Sequence, residues 1–332
     1  MSAIEATVFD EVPTKPLLSE SVFLSESLQD NNIKSVSLLH RKKLKEIGSS
    51  TCHRVHMEDG KQYDVTSYEP LKRVSDISVT MTTPWLTEPK GFNDHMARSL
   101  VKRGFPVDLV SAERNVELLP NIHASARNQL MIAGYTADQQ TRDPHKLIVM
   151  GVSRAAMIGF SVTAQARDLN RDIIYGDYIV PCYPEPPTTS RQLAKLALLP
   201  FSESGTVRHI VKFPSSAFRH YPSTFSVGPK KWINHLALIP NLLSGAAGDA
   251  AKLIDQHAQG TVLAFKGDLM SQGENWQEIF ADHPHMKVIL EDGGSHLSCA
   301  TTSAIDAWKQ RVDTLAAELS HRDVIDLPKK AV

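Results

Sequence analysis

The chain of 332 residues carries 36 Lys and Arg against 37 Asp and Glu, a formal net charge of −1, with 42% hydrophobic and 22% charged residues. That length and apolar content can build the core of one large domain or two smaller ones. The near-zero charge balance gives no electrostatic case for nucleic acid or an anionic membrane.

In chain order, residues 1–32 are mixed and rich in Ser, Glu and Asp, and read as a peripheral arm. The start MSAIEATVFDEVP is acidic and lacks the apolar run of a secretory signal. No window approaches the roughly 18 apolar residues of a membrane span, so a cytoplasmic protein without stable membrane insertion is expected. IKSVSLLHRKKL (33–44) and TCHRVHMEDGKQYDVTSYEP (51–70) alternate polar and apolar residues around the turn signal Asp59–Gly60, a β-hairpin pattern. The basic run HRKKLK (40–45) suits an exposed edge, and TSYEP (66–70) carries no functional signal. VSDISVTMTT (74–83) is β-branched and reads as a strand, and FNDHMARSLVKRG (92–104) as a helix closed by Gly104.

PVDLVSAE (106–113) is the next strand and HASARNQLMIAGYTADQQ (123–140) the next helix. KLIVMG (146–151) is a nearly continuous apolar strand, as found at the centre of a parallel sheet covered on both faces. RAAMIGFSVTAQARDL (154–169) is a helix of small residues and RDIIYGDYIV (171–180) a strand. The alternation from 74 to 180 predicts a parallel sheet with crossover helices. The rhythm then breaks, and residues 181–255 predict several helices with Pro-rich joints. Strands return at GTVLAFKGD (260–268) and HMKVILEDGG (285–294), and TTSAIDAWKQRVDTLAAEL (301–319) is an amphipathic closing helix before a loose tail at 323–332.

The stretch LIVMGVSRAAMIG places Ser153 between a strand pattern and a helix pattern. A sharp turn there projects Oγ above the strand ends, facing the N–H groups and positive dipole end of the following helix. Gly151 and Ala155 are the small residues such a turn needs on either side. A serine needs a base to act as a nucleophile. His296, in the Gly-rich loop after the last strand, is the candidate. Asp268, directly after the penultimate strand, is the candidate to orient it, with Asp177 in IIYGDYIV as the rival acid. The order Ser153, Asp268, His296 is a known chain order for such a triad.

With these residues the chain resembles the α/β-hydrolase superfamily over roughly residues 33–320. The resemblance rests on the GVSRA turn, the GD loop after a strand, the GGSH loop before the final helix and the helical insertion. It implies a mostly parallel α/β sheet with helices on both faces (33–183 and 259–322) and a helical cap at 184–258. It further implies an oxyanion hole from the backbone N–H groups of Arg154 and of Trp85, with Leu86 second, although TTPWLTEP lacks the HG signature of lipases. The implied function is ester hydrolysis through an acyl-enzyme, with Trp232, Leu236 and Phe201 of the apolar cap facing a small-molecule ester. No metal or organic cofactor is needed. The same triad would serve thioester, amide or lactone cleavage or acyl transfer, and a binding or scaffold protein on the same fold is the reading of another class.

Four features carry blander readings. Cys52, Cys182 and Cys299 are widely spaced, form no CxxC pair, and read as buried free thiols. His283 and His285 flank a proline before a strand and read as a solvated turn rather than a metal site. Asp292 reads as serving its turn, and the Arg154 side chain as solvated, with pairing to an anionic substrate group as the alternative.

Overall fold

The computed structural model describes residues 32–82, 92–111, 122–179, 181–186, 244–266, 268, 271–292 and 312–317. Three antiparallel strands open it: β1 (Ile33–Leu44), β2 (Gly48–Met57) and β3 (Gln62–Pro70). The expected hairpin at Asp59–Gly60 is therefore the second turn of a three-stranded meander. The first turn, 45–47, carries Glu46 at φ 64° without a Gly or Asn to announce it. Among the described residues β1 pairs with β2 alone, and its residues 37–43 are exposed, so the basic run lies at an edge of the described sheet, where charge discourages pairing with another chain.

The alternating part follows as β4 (Ser78–Thr82), α1 (Phe92–Lys102), β5 (Val107–Ser111), α2 (Ile122–Gln139), β6 (Lys146–Val152), α3 (Arg154–Gln165) and β7 (Asp172–Ile179). The described chain continues with α4 (Ala246–Lys252), β8 (Gly260–Phe265), α5 (Gly273–Ile279) and β9 (Met286–Glu291). The nine strands form one sheet in the order β1-β2-β3-β5-β4-β6-β7-β8-β9. Every pairing among β5, β4, β6, β7, β8 and β9 is parallel. This is the mostly parallel α/β architecture that the alternation predicts.

β6 shows why the sheet buries both faces. Ile148, Met150 and Val152 enter one core cluster with Met96 and Leu100 of α1 and Val312 and Leu315 of 312–317. Leu147 and Val149, the alternate residues, enter another with α2, α3, α4 and α5. A period of two along an apolar strand thus feeds two helical layers. α4 falls within the stretch read as cap. Its Ala247, Ala250 and Ala251 pack into the same cluster as Ala156 and Met157 of α3.

α5 has no counterpart among the predicted elements. Its signal was present in GENWQEIF, where Trp276, Ile279 and Phe280 recur at helical spacing. Trp276 is fully buried and stacks on Phe160 of α3 at 5.0 Å between ring centroids.

TSYEP is far from featureless. Ser67 donates to Asp108 Oδ1 at 2.6 Å, Tyr68 donates to Asp94 at 2.6 Å, and Glu69 accepts from Arg73 at 2.9 Å. Asp108, on β5, also takes two hydrogen bonds from the Arg142 guanidinium at 3.0 Å each and one from Thr136 of α2 at 3.0 Å. Arg142 in turn donates to Ser78 of β4 at 2.7 Å. Both Asp108 and Arg142 are buried, so these hydrogen bonds replace much of the hydration the pair loses, while Arg142 Nε makes no hydrogen bond and only an ion-pair contact with Glu69 at 3.1 Å.

Candidate active site

From β4 the chain runs outward to β5 and then crosses back to β6, which is β4's other neighbour. The strand order therefore reverses between β4 and β6, and in open α/β sheets the crevice at the carboxyl ends of such strands is the usual ligand position. Ser153 stands at the head of β6, next to that crevice.

Its backbone is held at φ 57°, ψ −124°, outside the regions ordinary residues occupy. Its N–H donates to Ile179 O at 2.8 Å and its carbonyl accepts from Ala156 N–H at 2.9 Å, which fix the turn from both sides. Gly151 is required because a Cβ there would lie 2.4 Å from the Ala155 carbonyl oxygen. Ala155 is acceptable where a second glycine is common, because it lies in the first turn of α3 and its methyl is buried. The Ser153 side chain makes no capping bond to α3.

Asp268 lies just beyond β8, almost entirely buried at 3% exposure. Its N–H donates to Phe265 O at 3.2 Å and its carbonyl accepts from Gln272 N–H at 3.1 Å. β7 separates β6 from β8, so the heads of these strands are about 10 Å apart at the usual strand spacing. Asp177, the rival acid, lies within β7 opposite Met150 and Thr261, two residues short of the strand's end, and is fully buried.

Two residues shortly after β7 neighbour the candidate pair, Cys182 beside Ser153 and Tyr183 within the electrostatic reach of Asp268. Cys182 Sγ lies 3.7 Å from Ser153 Oγ, within hydrogen-bond reach for sulfur. Burial and the neighbouring Asp268 and Cys182 push the Tyr183 hydroxyl well above the usual tyrosine range, so it stays protonated. The sequence reading missed both residues. Their signal is positional: a buried thiol and phenol directly after a central parallel strand stand where ligands bind.

Arg154, the first residue of α3, is partly buried rather than solvated, and burial lowers its pKa. Asp292 is exposed and pairs with Lys266 at 3.1 Å. His283 is packed, not solvated: its Nε2 lies 3.1 Å from the Ile254 carbonyl and its ring stands edge-on to Phe280, while His285 is exposed. Among the described residues no group of three His, Cys, Asp or Glu side chains could hold a metal ion, and no helix is long and apolar enough to cross a membrane. Cys52 and Cys182 are both free and buried. His296, Trp85, Leu86, Phe201, Trp232, Leu236 and Cys299 lie outside the described residues.

The fold matches solved structures over most of its length. An arylesterase is 16% identical, covers 86% of this chain and 88% of its own, and superposes with a TM-score of 0.54. DcsB, solved in complex with its substrate analogue, is 14% identical over 82% of this chain and 99% of its own, with a TM-score of 0.57. A thermostable esterase from Pseudomonas putida is 12% identical over 88% of this chain and 84% of its own, with a TM-score of 0.56. No protein-family model and no curated sequence matches the chain. The chain has the α/β-hydrolase fold.

Proposed function

We propose that the protein is a serine hydrolase that cleaves a small-molecule ester with an apolar acyl or alcohol part. The observation that carries this reading is the backbone of Ser153, held at φ 57° and ψ −124° at a strand-to-helix turn beside the sheet's crevice. A folded chain keeps a strained residue only where its surroundings impose it, and such residues gather at active sites. The esterases that share the fold add support, at the level of fold.

In this reading His296 accepts the proton of Ser153 Oγ as that oxygen attacks the ester carbonyl. Asp268 holds the imidazole and stabilises its cation. Its burial and its place beyond β8 suit that role better than the position of Asp177 inside β7. The backbone N–H of Arg154, at the start of α3, and that of Trp85 hold the tetrahedral oxyanion. The protonated His296 then delivers its proton to the departing alcohol, leaving an acyl group on Ser153. A water molecule that gives its proton to His296 attacks this acyl-enzyme, frees the acid and restores Ser153. Phe201, Trp232 and Leu236 supply the apolar wall of the pocket.

The test is labelling with a fluorophosphonate, which reacts only with an activated serine. Wild type is expected to label, and Ser153→Ala and His296→Ala to label at least about 100-fold more slowly. Unlabelled, folded wild type would refute the reading.

A further inference from the structure

Arg154 is an exception among the arginines. Among the described residues, those that are not exposed meet an oxygen: Arg54 and Arg73 pair with Asp64 and Glu69, Arg98 and Arg103 with Asp94 and Asp313, Arg142 with Asp108, and Arg171 with the Pro144 carbonyl. Arg41 and Arg127, which make no such pair, are exposed and hydrated. Arg154 alone is partly buried with no carboxylate or carbonyl partner among the described residues. The groups that act on its charge are Cys182 and Tyr63, neither of them a carboxylate. Cys182 is the residue whose sulfur lies 3.7 Å from Ser153 Oγ. Tyr63 stands near the start of β3, which runs antiparallel to β5, so it lies at the carboxyl edge of the parallel strands, where the crevice opens. Its hydroxyl is already engaged, accepting from Asn128 Nδ2 at 3.3 Å.

A partly buried guanidinium retains five donors and a full charge. Leaving it without an anion is costly, and a ligand that supplies one recovers the lost interaction.

We propose that Arg154 anchors an anionic group of the substrate, so that the ester carries a carboxylate a few bonds from the scissile carbonyl. This rests on Ser153 being the nucleophile, and it narrows the substrate to an apolar ester with one charged end. The guanidinium grips the carboxylate through paired N–H donors, which sets the orientation in which the carbonyl meets Ser153 Oγ.

The experiment compares two esters, the mono-p-nitrophenyl ester of glutaric acid and its uncharged isostere in which an isopropyl group replaces the carboxylate. The quantity read is the ratio of their kcat/KM values within each variant. Any effect common to both esters, including displacement of the Arg154 backbone N–H, cancels in this ratio. Wild type is expected to favour the charged ester, Arg154→Gln to lower the ratio by about 10- to 100-fold, and Arg154→Lys to keep much of it. An unchanged ratio in Arg154→Gln overturns the proposal.

A second arm needs no turnover. Calorimetry measures binding of monomethyl glutarate to Ser153→Ala and to the double variant Ser153→Ala/Arg154→Gln. Binding lost in the double variant supports the anion site even if wild type fails to label with a fluorophosphonate, in which case the hydrolase reading alone falls. Equal binding, or none to Ser153→Ala, overturns the anion site whatever the labelling shows.

Discussion

The energetics of the site concentrate in one backbone. Ser153 has φ 57° with a side chain present, a conformation costing about 1–3 kcal/mol that glycine adopts freely. Replacing it separates chemistry from strain. Ser153→Ala and Ser153→Gly should both abolish fluorophosphonate labelling, but they should differ in stability. Glycine relieves the strain and alanine does not, and the extra freedom of glycine in the unfolded chain offsets about 0.4–1 kcal/mol of the gain. Urea unfolding should therefore find Ser153→Gly at least as stable as Ser153→Ala, by up to about 2 kcal/mol. A glycine variant clearly less stable than the alanine variant would mean that the turn stores no strain. Ser153 itself was legible in sequence, because a glycine two before it and a small residue two after it are local requirements of the turn. Cys182 was not, since its contact with Ser153 is made across 29 residues and depends on where β7 ends.

Between elements, the firmest polar tie is the one around Asp108. It links β5 to β3 through Ser67, to α2 through Thr136, and to β4 through Arg142 and Ser78. Its reading from sequence failed for a definite reason. Local pattern within PVDLVSAE or TSYEP carries no information about a partner 34 or 41 residues away. The signal that did exist was a single acidic residue inside an otherwise apolar central strand, which demands a buried partner. Asp108→Ala should destabilise the protein by about 3–5 kcal/mol, because it leaves the Arg142 charge buried without its main partner. The double change Asp108→Leu/Arg142→Met removes both charges, and should cost less than the single one. Urea unfolding of the three proteins measures this. A single variant within about 1 kcal/mol of wild type would show that the network is dispensable.

For the molecule as a whole, the parallel sheet was legible because each βα unit repeats the same change of period, from strand to small-residue helix and back. The first turn of the meander and α5 went unread although Gly48 closes the turn and Gly273 opens the helix, because a lone glycine marks a break without saying which element adjoins it; Trp276 and Phe280 marked α5 by spacing. Charge is nearly balanced overall, so the pH dependence of stability is set by individual buried groups rather than by net repulsion. His53, on β2, is held below its ordinary value of 6.5, first by burial and then by the Arg41 cation, with Asp108 opposing. Glu69 is raised above 4.5 by burial, against the pull of Arg142 and Arg73. The signs are opposite. For His53 the unfolded chain binds the proton more readily, so its contribution is fully present above about pH 6.5 and is lost as pH falls through the lower folded value. For Glu69 the folded chain binds the proton more readily, so its contribution is present below about pH 4.5 and is lost as pH rises through the higher folded value. Across the mildly acidic range, His53→Gln should flatten the loss of stability that wild type shows on acidification. Urea midpoints at about pH 7.5 and about pH 5.5 measure it for both proteins. If the two midpoints shift equally, the folded protein does not hold the imidazole below its ordinary value.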